Sequence, residues 1–140
     1  MTGRILGVDP GEKNIGVAIS DPTGTIASPL TVLRHISRLV DAGLIAELAR
    51  EHGAIKIVVG QPLDSSGKVG PQARKTSRLA EAIQSQTDVP VLLWDESGST
   101  QIAREARIQM KVRHKDRKGH LDQMAAVVIL QSFLDAHAIP

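Results

Sequence analysis

The 140-residue sequence predicts an α/β fold, a mixed β-sheet of three antiparallel strands plus parallel strands, flanked by helices. Three observations lead there. The first third carries Val and Ile at strand spacing between turn signals; the apolar period then lengthens to four residues; and two dense apolar runs later interrupt helical stretches. With hydrophobic residues at 41%, the chain has the composition of a packed core rather than of a disordered segment.

Residues 4–9 form a short apolar run ending in Asp-Pro-Gly, and residues 15–20 resume with Val and Ile. Gly11, Glu12, Lys13 and Asn14 between them suit the turn of a hairpin. Residues 25–33, after the Asp21-Pro22-Thr23-Gly24 turn, read as a third strand, and Pro29 inside it indicates a bulge or an edge. Ile36, Val40, Leu44 and Leu48 then recur every four residues, which predicts a helix over 37–52 stopped by Gly53. Residues 55–59 have the composition of a strand buried on both faces. The glycine-rich stretch 60–70 should be a flexible loop, and residues 71–86 return to helical spacing through Thr76, Leu79, Ala80 and Ile83. Residues 89–94 predict a second buried strand leading into Asp95-Glu96. Ile102, Ala103, Ala106 and Met110 line one helical stripe, and a final helix is expected over 121–138 with Leu121, Met124, Ala125 and Val128 on one face. That order fits several mixed-sheet architectures, the ribonuclease H-like one among them. No repeat, low-complexity tract or linker divides the chain, so residues 1–140 are expected to form one domain.

Composition removes several chemistries. Without cysteine there is no disulfide, zinc-thiolate site or cysteine nucleophile, which fits a reducing cytosol. Acid and turn residues near the start replace the apolar run of a signal peptide, and no stretch reaches the roughly 18 apolar residues of a membrane span. A cytoplasmic protein with no membrane partner is expected. Net charge is only +2, but its distribution is uneven. Lys111, Arg113, Lys115, Arg117 and Lys118 face a single acid, Asp116, and Arg74, Lys75 and Arg78 form a second cluster. Each run is either a solvated surface or a phosphate-binding one. Because Trp94 and Phe133 are the only aromatics, nucleic-acid binding would lean on phosphate contacts rather than base stacking. The expected contacts are Lys13, Lys111, Arg113, Lys115, Arg117 and Lys118.

Three acids occupy informative places. Asp9 ends the first strand, Glu96 follows the last, and Asp122 opens the final helix. With the first and last strands close together, these carboxylates would converge at one sheet edge. Hard divalent cations take carboxylate oxygens and keep water and phosphate in their other positions, and two such ions clamp the two oxygens of an in-line displacement. Each acid also has an ordinary structural explanation: Asp9 as a turn residue, Asp122 as a partner of the helix dipole, Glu96 as solvated loop. Asp21 is explained by its turn and is left out of the site. His35, His52, His114, His120 and His137 lack metal-ligand spacing, and no G-x-S-x-G marks a serine hydrolase.

The stretch Gly7-Val8-Asp9-Pro10-Gly11-Glu12-Lys13-Asn14-Ile15-Gly16-Val17-Ala18-Ile19-Ser20-Asp21 closely resembles the opening motif of the YqgF family, small bacterial proteins described as Holliday junction resolvases and as pre-16S rRNA nucleases. Val58-Val59-Gly60-Gln61-Pro62-Leu63 with Gly67 and Gly70, the run from Pro90-Val91 to Asp95-Glu96, and His120-Leu121-Asp122 with Ala125-Ala126 and Ile129-Leu130-Gln131 are similar to three further blocks of that family, in order. The resemblance implies a ribonuclease H-like nuclease with a site of Asp9, Glu96 and Asp122, both metal-ligating and catalytic, holding Mg²⁺ or Mn²⁺, two ions in all. It implies RNA or branched DNA as partner, with 5′-end processing of pre-16S rRNA or resolution of four-way junctions as the task; symmetrical junction cutting would favour a homodimer. The chain departs from the family pattern at Ser97-Gly98, where Arg-Leu is usual, and at Asn14, where arginine is common. The first change removes a phosphate contact or a partner for the acid.

Two rival readings remain at this level. Asp9-Pro10-Gly11 followed by Gly16 also resembles the first phosphate loop of the actin and sugar-kinase superfamily, which closes two such domains over ATP, whereas this chain supplies one. A nucleic-acid-binding module with weakened catalysis is the other.

Overall fold

The computed structural model describes residues 3–62, 70–95 and 118–137, with the backbone alone for 118–123. Within them the chain forms β1 (Arg4–Pro10), β2 (Asn14–Ser20), β3 (Ala27–Arg34), α1 (Arg38–Glu51), β4 (Ala54–Gln61), α2 (Pro71–Gln84), β5 (Val91–Asp95) and α3 (Lys118–Ala136). The helix expected around residues 102–110 lies outside the described residues. The strands make one five-stranded sheet in the order β3-β2-β1-β4-β5. β1–β2 and β2–β3 are antiparallel, β1–β4 and β4–β5 parallel, so the mixed sheet has the composition the sequence predicts.

Strand alternation divides the core in two. Leu6 and Val8 of β1, Ile15, Val17 and Ile19 of β2, and Ile57 and Val59 of β4 pack under α1 and α2. On the other face Ile5, Ala18 and Val58 meet Ala126, Ile129, Leu130 and Phe133 of α3. Gln61, ending β4, donates through its side-chain amide to the Ala73 carbonyl at 3.2 Å and to Ser77 Oγ at 2.9 Å, fixing the strand end to α2.

Pro29 meets both of its expectations. It lies on the edge strand β3, and the pairing shifts there, Val17 opposite Thr31 but Ala18 opposite Pro29, which leaves Leu30 as the extra residue. Ser37 caps α1, its hydroxyl accepting from the Val40 N–H at 3.2 Å, and Gly53 follows with φ +64°, a left-handed turn that glycine takes without strain.

Two expectations are corrected. Most of the stripe that predicted α1 is not its buried face: Ile36, Leu39, Val40 and Leu44 are exposed, Leu39 to 70%, only Leu48 packs against the core, and the helix instead turns Asp41, Ala42, Ile45, Ala46 and Ala49 inward. Small alanines let the helix lie close against a sheet already filled with branched side chains. The strand expected as buried, β5, is last in the sheet order, and Leu92 and Leu93 are exposed to 38% and 41%. An apolar run marks a strand without showing how many neighbours it has.

Candidate active site

β1, β4 and β5 are parallel, so they end at the same edge of the sheet, the side at which open α/β sheets carry their sites. Asp9 is the penultimate residue of β1, Asp95 the last of β5. The turn beyond Asp9 is tight. The Gly11 N–H donates to the Asn14 carbonyl at 3.0 Å, and a Cβ at Gly11 would stand 2.4 Å from that oxygen. Only glycine fits there, which explains the Asp-Pro-Gly of the motif.

Gly7 sets the other boundary. A Cβ on it would stand 2.7 Å from Leu130 Cβ and 3.4 Å from the Ala126 carbonyl, so its bare backbone is what lets α3 lie close on β1. By alternation Asp9 lies on the same face as Gly7. Ile5 shares a cluster with Phe133 and Leu134, while Gly7 meets Leu130 and Ala126, so α3 runs antiparallel to β1. Position 122 is one turn before Ala126 on the same helix stripe, on the stretch of α3 that heads for the Asp9 end of β1.

The sequence expectation for Asp122 changes in one respect. α3 begins at Lys118, so Asp122 is its fifth residue and the first turn contains no acid. The dipole benefit fades beyond the first turn, which weakens the purely structural explanation of this acid. The first and last strands are also not adjacent: β4 separates β1 from β5, placing their axes about 10 Å apart. Glu96 lies outside the described residues, as do Lys111, Arg113, Lys115 and Arg117; Lys118 opens α3. Lys13 is exposed in the β1–β2 turn at the same edge as Asp9, and its carbonyl accepts from the His35 N–H at 2.8 Å.

Asp21 belongs to its turn. It accepts from the N–H groups of Thr25 and Ile26 at 2.8 and 2.9 Å and from the Thr23 hydroxyl. Chiefly through the Ile26 N–H, then Thr23 and Thr25, its pKa is held well below the usual carboxylate range. Asp41 has no role in the sequence reading, yet it is buried, accepts from the Ile36 N–H at 3.0 Å and pairs with His35 Nδ1. An acid in a first helical turn normally reads as a solvated dipole partner; the available signal was a histidine six residues before it.

Comparisons with known proteins agree with this architecture. The family model described as RuvX, Holliday junction resolvase, matches residues 3–136. A relative from Roseiflexus sp. (strain RS-1) is 38% identical over 134 residues, spanning 96% of this chain and 95% of its own. Another, from Syntrophus aciditrophicus (strain SB), is 43% identical over 133 residues, spanning 95% and 89%. Both carry the provisional name pre-16S rRNA nuclease. Among solved structures, T. thermophilus RuvC in complex with a Holliday junction substrate superposes with a TM-score of 0.63 at 16% identity, over 96% of this chain and 94% of that one. The fowlpox virus Holliday junction resolvase gives 0.57 at 15% identity, over 95% and 99%. At such identities the shared property is the fold, here ribonuclease H-like. The resemblance carried by the glycine-flanked Asp9 motif thus extends over nearly the whole length, and the chain belongs to the RuvX family, known also as YqgF, whose members are nucleases, hydrolases of phosphodiester bonds.

Proposed function

We propose that this nuclease processes the 5′ end of pre-16S rRNA, using Asp9, Glu96 and Asp122 to hold two Mg²⁺ or Mn²⁺ ions at the carboxyl edge of the sheet. The observation that carries the reading is the Gly7–Leu130 approach, which leaves α3, with position 122, no spacer from the strand that carries Asp9 near its end. The donor set suits the ions: carboxylates are the hard oxygen ligands such cations take, and the chain has no cysteine to favour softer metals. Bound there, the ions would stabilise charge on the scissile phosphate and lower the pKa of water. The protein's own part is to hold Asp9 near a strand end and Asp122 on a helix, and to grip flanking phosphates through Lys13 and the cations between 111 and 118. The names of the curated relatives support precursor rRNA as substrate.

The family description favours a second substrate, a four-way DNA junction, cut by the same site and calling for a homodimer. The test is to incubate the purified chain with precursor rRNA, single-stranded RNA, single-stranded DNA or a four-way junction in Mg²⁺, Mn²⁺, Ca²⁺ or EDTA. Cleavage of precursor rRNA in Mg²⁺ or Mn²⁺, weak in Ca²⁺ and lost in EDTA, is the expected result. Preferential cutting of the junction would exchange the substrate and keep the mechanism, and full cleavage in EDTA would remove the mechanism.

A further inference from the structure

On the face of the sheet opposite Asp9, at the same edge, a cavity of about 470 Å³ opens between α1, α2 and the β1–β2 turn. Pro10 and Gly11, the residues directly after Asp9, form one wall, and Arg38, Lys75 and Arg78 stand around it. All three cations are exposed, and among the described residues none of them is in an ion pair. The acids of the lining are Glu12 and Asp41, and Asp41 is buried and committed to His35 and the Ile36 N–H.

Helix-dipole stabilisation does not explain Arg38. Arg38 is the first residue of α1, whose first turn also holds Asp41, while Lys75 is the fifth residue of α2 and Arg78 the eighth. The positive end of a helix dipole disfavours a cation at Arg38, but the effect fades beyond the first turn and does not bear on Lys75 or Arg78. Three cations against the carboxylates of Glu12 and Asp41 leave the lining net positive, a charge that an anion relieves, and the cavity has the volume of a small-molecule site.

We infer that this cavity is a second phosphate-binding site, in which Arg38, Lys75 and Arg78 take the phosphodiester backbone of the substrate strand next to the bond being cut. Asp9 and Pro10 are consecutive and point to opposite faces, so a strand crossing the sheet edge passes from the reaction centre to the cavity over the Pro10-Gly11 turn. The location rests on the proposed role of Asp9; the binding itself does not. A basic groove that tracks the backbone is the usual means of holding a strand where stacking aromatics are few.

The test compares Lys75→Gln/Arg78→Gln with Arg50→Gln/Lys56→Gln, which removes the same charge at the opposite edge of the sheet. Both doubles and the parent are titrated, in EDTA, against a fluorescein-labelled single-stranded RNA and a labelled four-way DNA junction over a range of salt, with melting temperatures as the folding control. The cavity double should bind at least one of the two probes more weakly, its log–log salt slope on the RNA falling by about 1.4, at roughly 0.7 per lost contact. The distant double should stay near the parent. Equal behaviour of the two doubles on both probes would overturn the proposal. Since no cleavage is read, a failure here is separate from a failure of the Asp9 site, which would show instead as metal-independent cutting.

Discussion

A methyl group on Gly7 would collide with Leu130 Cβ at 2.7 Å and Leu130 Cγ at 3.3 Å, and the helix beyond is packed against four strands, so little can give. Overpacking of this kind costs about 1–3 kcal/mol. Gly7→Ala should therefore lower stability in urea melts by about that amount. It should also slow cleavage more than the loss of folded protein accounts for, because the displaced helix carries Asp122. Unchanged stability and rate would mean that the close approach positions nothing. Asp21 makes the contrasting prediction. A carboxylate whose folded pKa is depressed stabilises the fold above its unfolded pKa and loses that contribution as pH falls through the folded value. Asp21→Ala should melt below the parent at pH 7, with the gap closing as pH drops below about 4, where the unfolded carboxyl begins to protonate. Its cleavage rate should stay close to the parent's. Melting curves from pH 7 to pH 2 check the sign, and a gap that widens toward acid would show that the turn bonds are not what depress this group. Asp21 was legible in the sequence because Asp-Pro-Thr-Gly names its own turn. The His35–Asp41 pair was not, because it depends on which way α1 is rotated.

That rotation is the main difference at the scale of the element. The ends of α1 follow from Ser37 and Gly53, local signals that act wherever the helix packs. Its face is a tertiary matter. The sheet beneath is already crowded with Ile15, Val17, Ile57 and Val59, so alanines pack better against it than the leucines of the predicted stripe. Ile45→Ala should cost about 2–5 kcal/mol, the range for emptying a buried aliphatic site, while Leu39→Ser should fall within about 0.5 kcal/mol of the parent. Denaturant midpoints decide between the faces: a large loss at Leu39 with none at Ile45 would restore the stripe read from periodicity. In α2 the two readings coincide, since Thr76, Leu79, Ala80 and Ile83 are periodic and buried alike. β5 was legible as a strand but not as a sheet edge, because Leu92 and Leu93 have the composition of a central strand and only the pairing order shows otherwise.

At the scale of the whole molecule, parallel strands ending at one edge gather residues distant in sequence: the Asp9 turn, the ends of β4 and β5, and the start of α3. Among the described residues no helix is long and apolar enough to cross a membrane. The order of strands and helices, and the acids at strand ends, were legible because strand ends and turns leave local marks. The cavity across the sheet from Asp9 was not, because Arg38 and Arg78 meet only after α1 and α2 pack side by side. The central claim is that Asp9 serves the chemistry rather than the turn, and the most direct measurement is the single-turnover cleavage rate of Asp9→Asn on precursor rRNA in Mg²⁺, beside its melting temperature. Losing a ligand that supports several kcal/mol of charge stabilisation should slow cleavage by about 100-fold or more, at 1.36 kcal/mol per tenfold, with the fold retained. A folded Asp9→Asn variant that cuts at the parental rate would contradict the account.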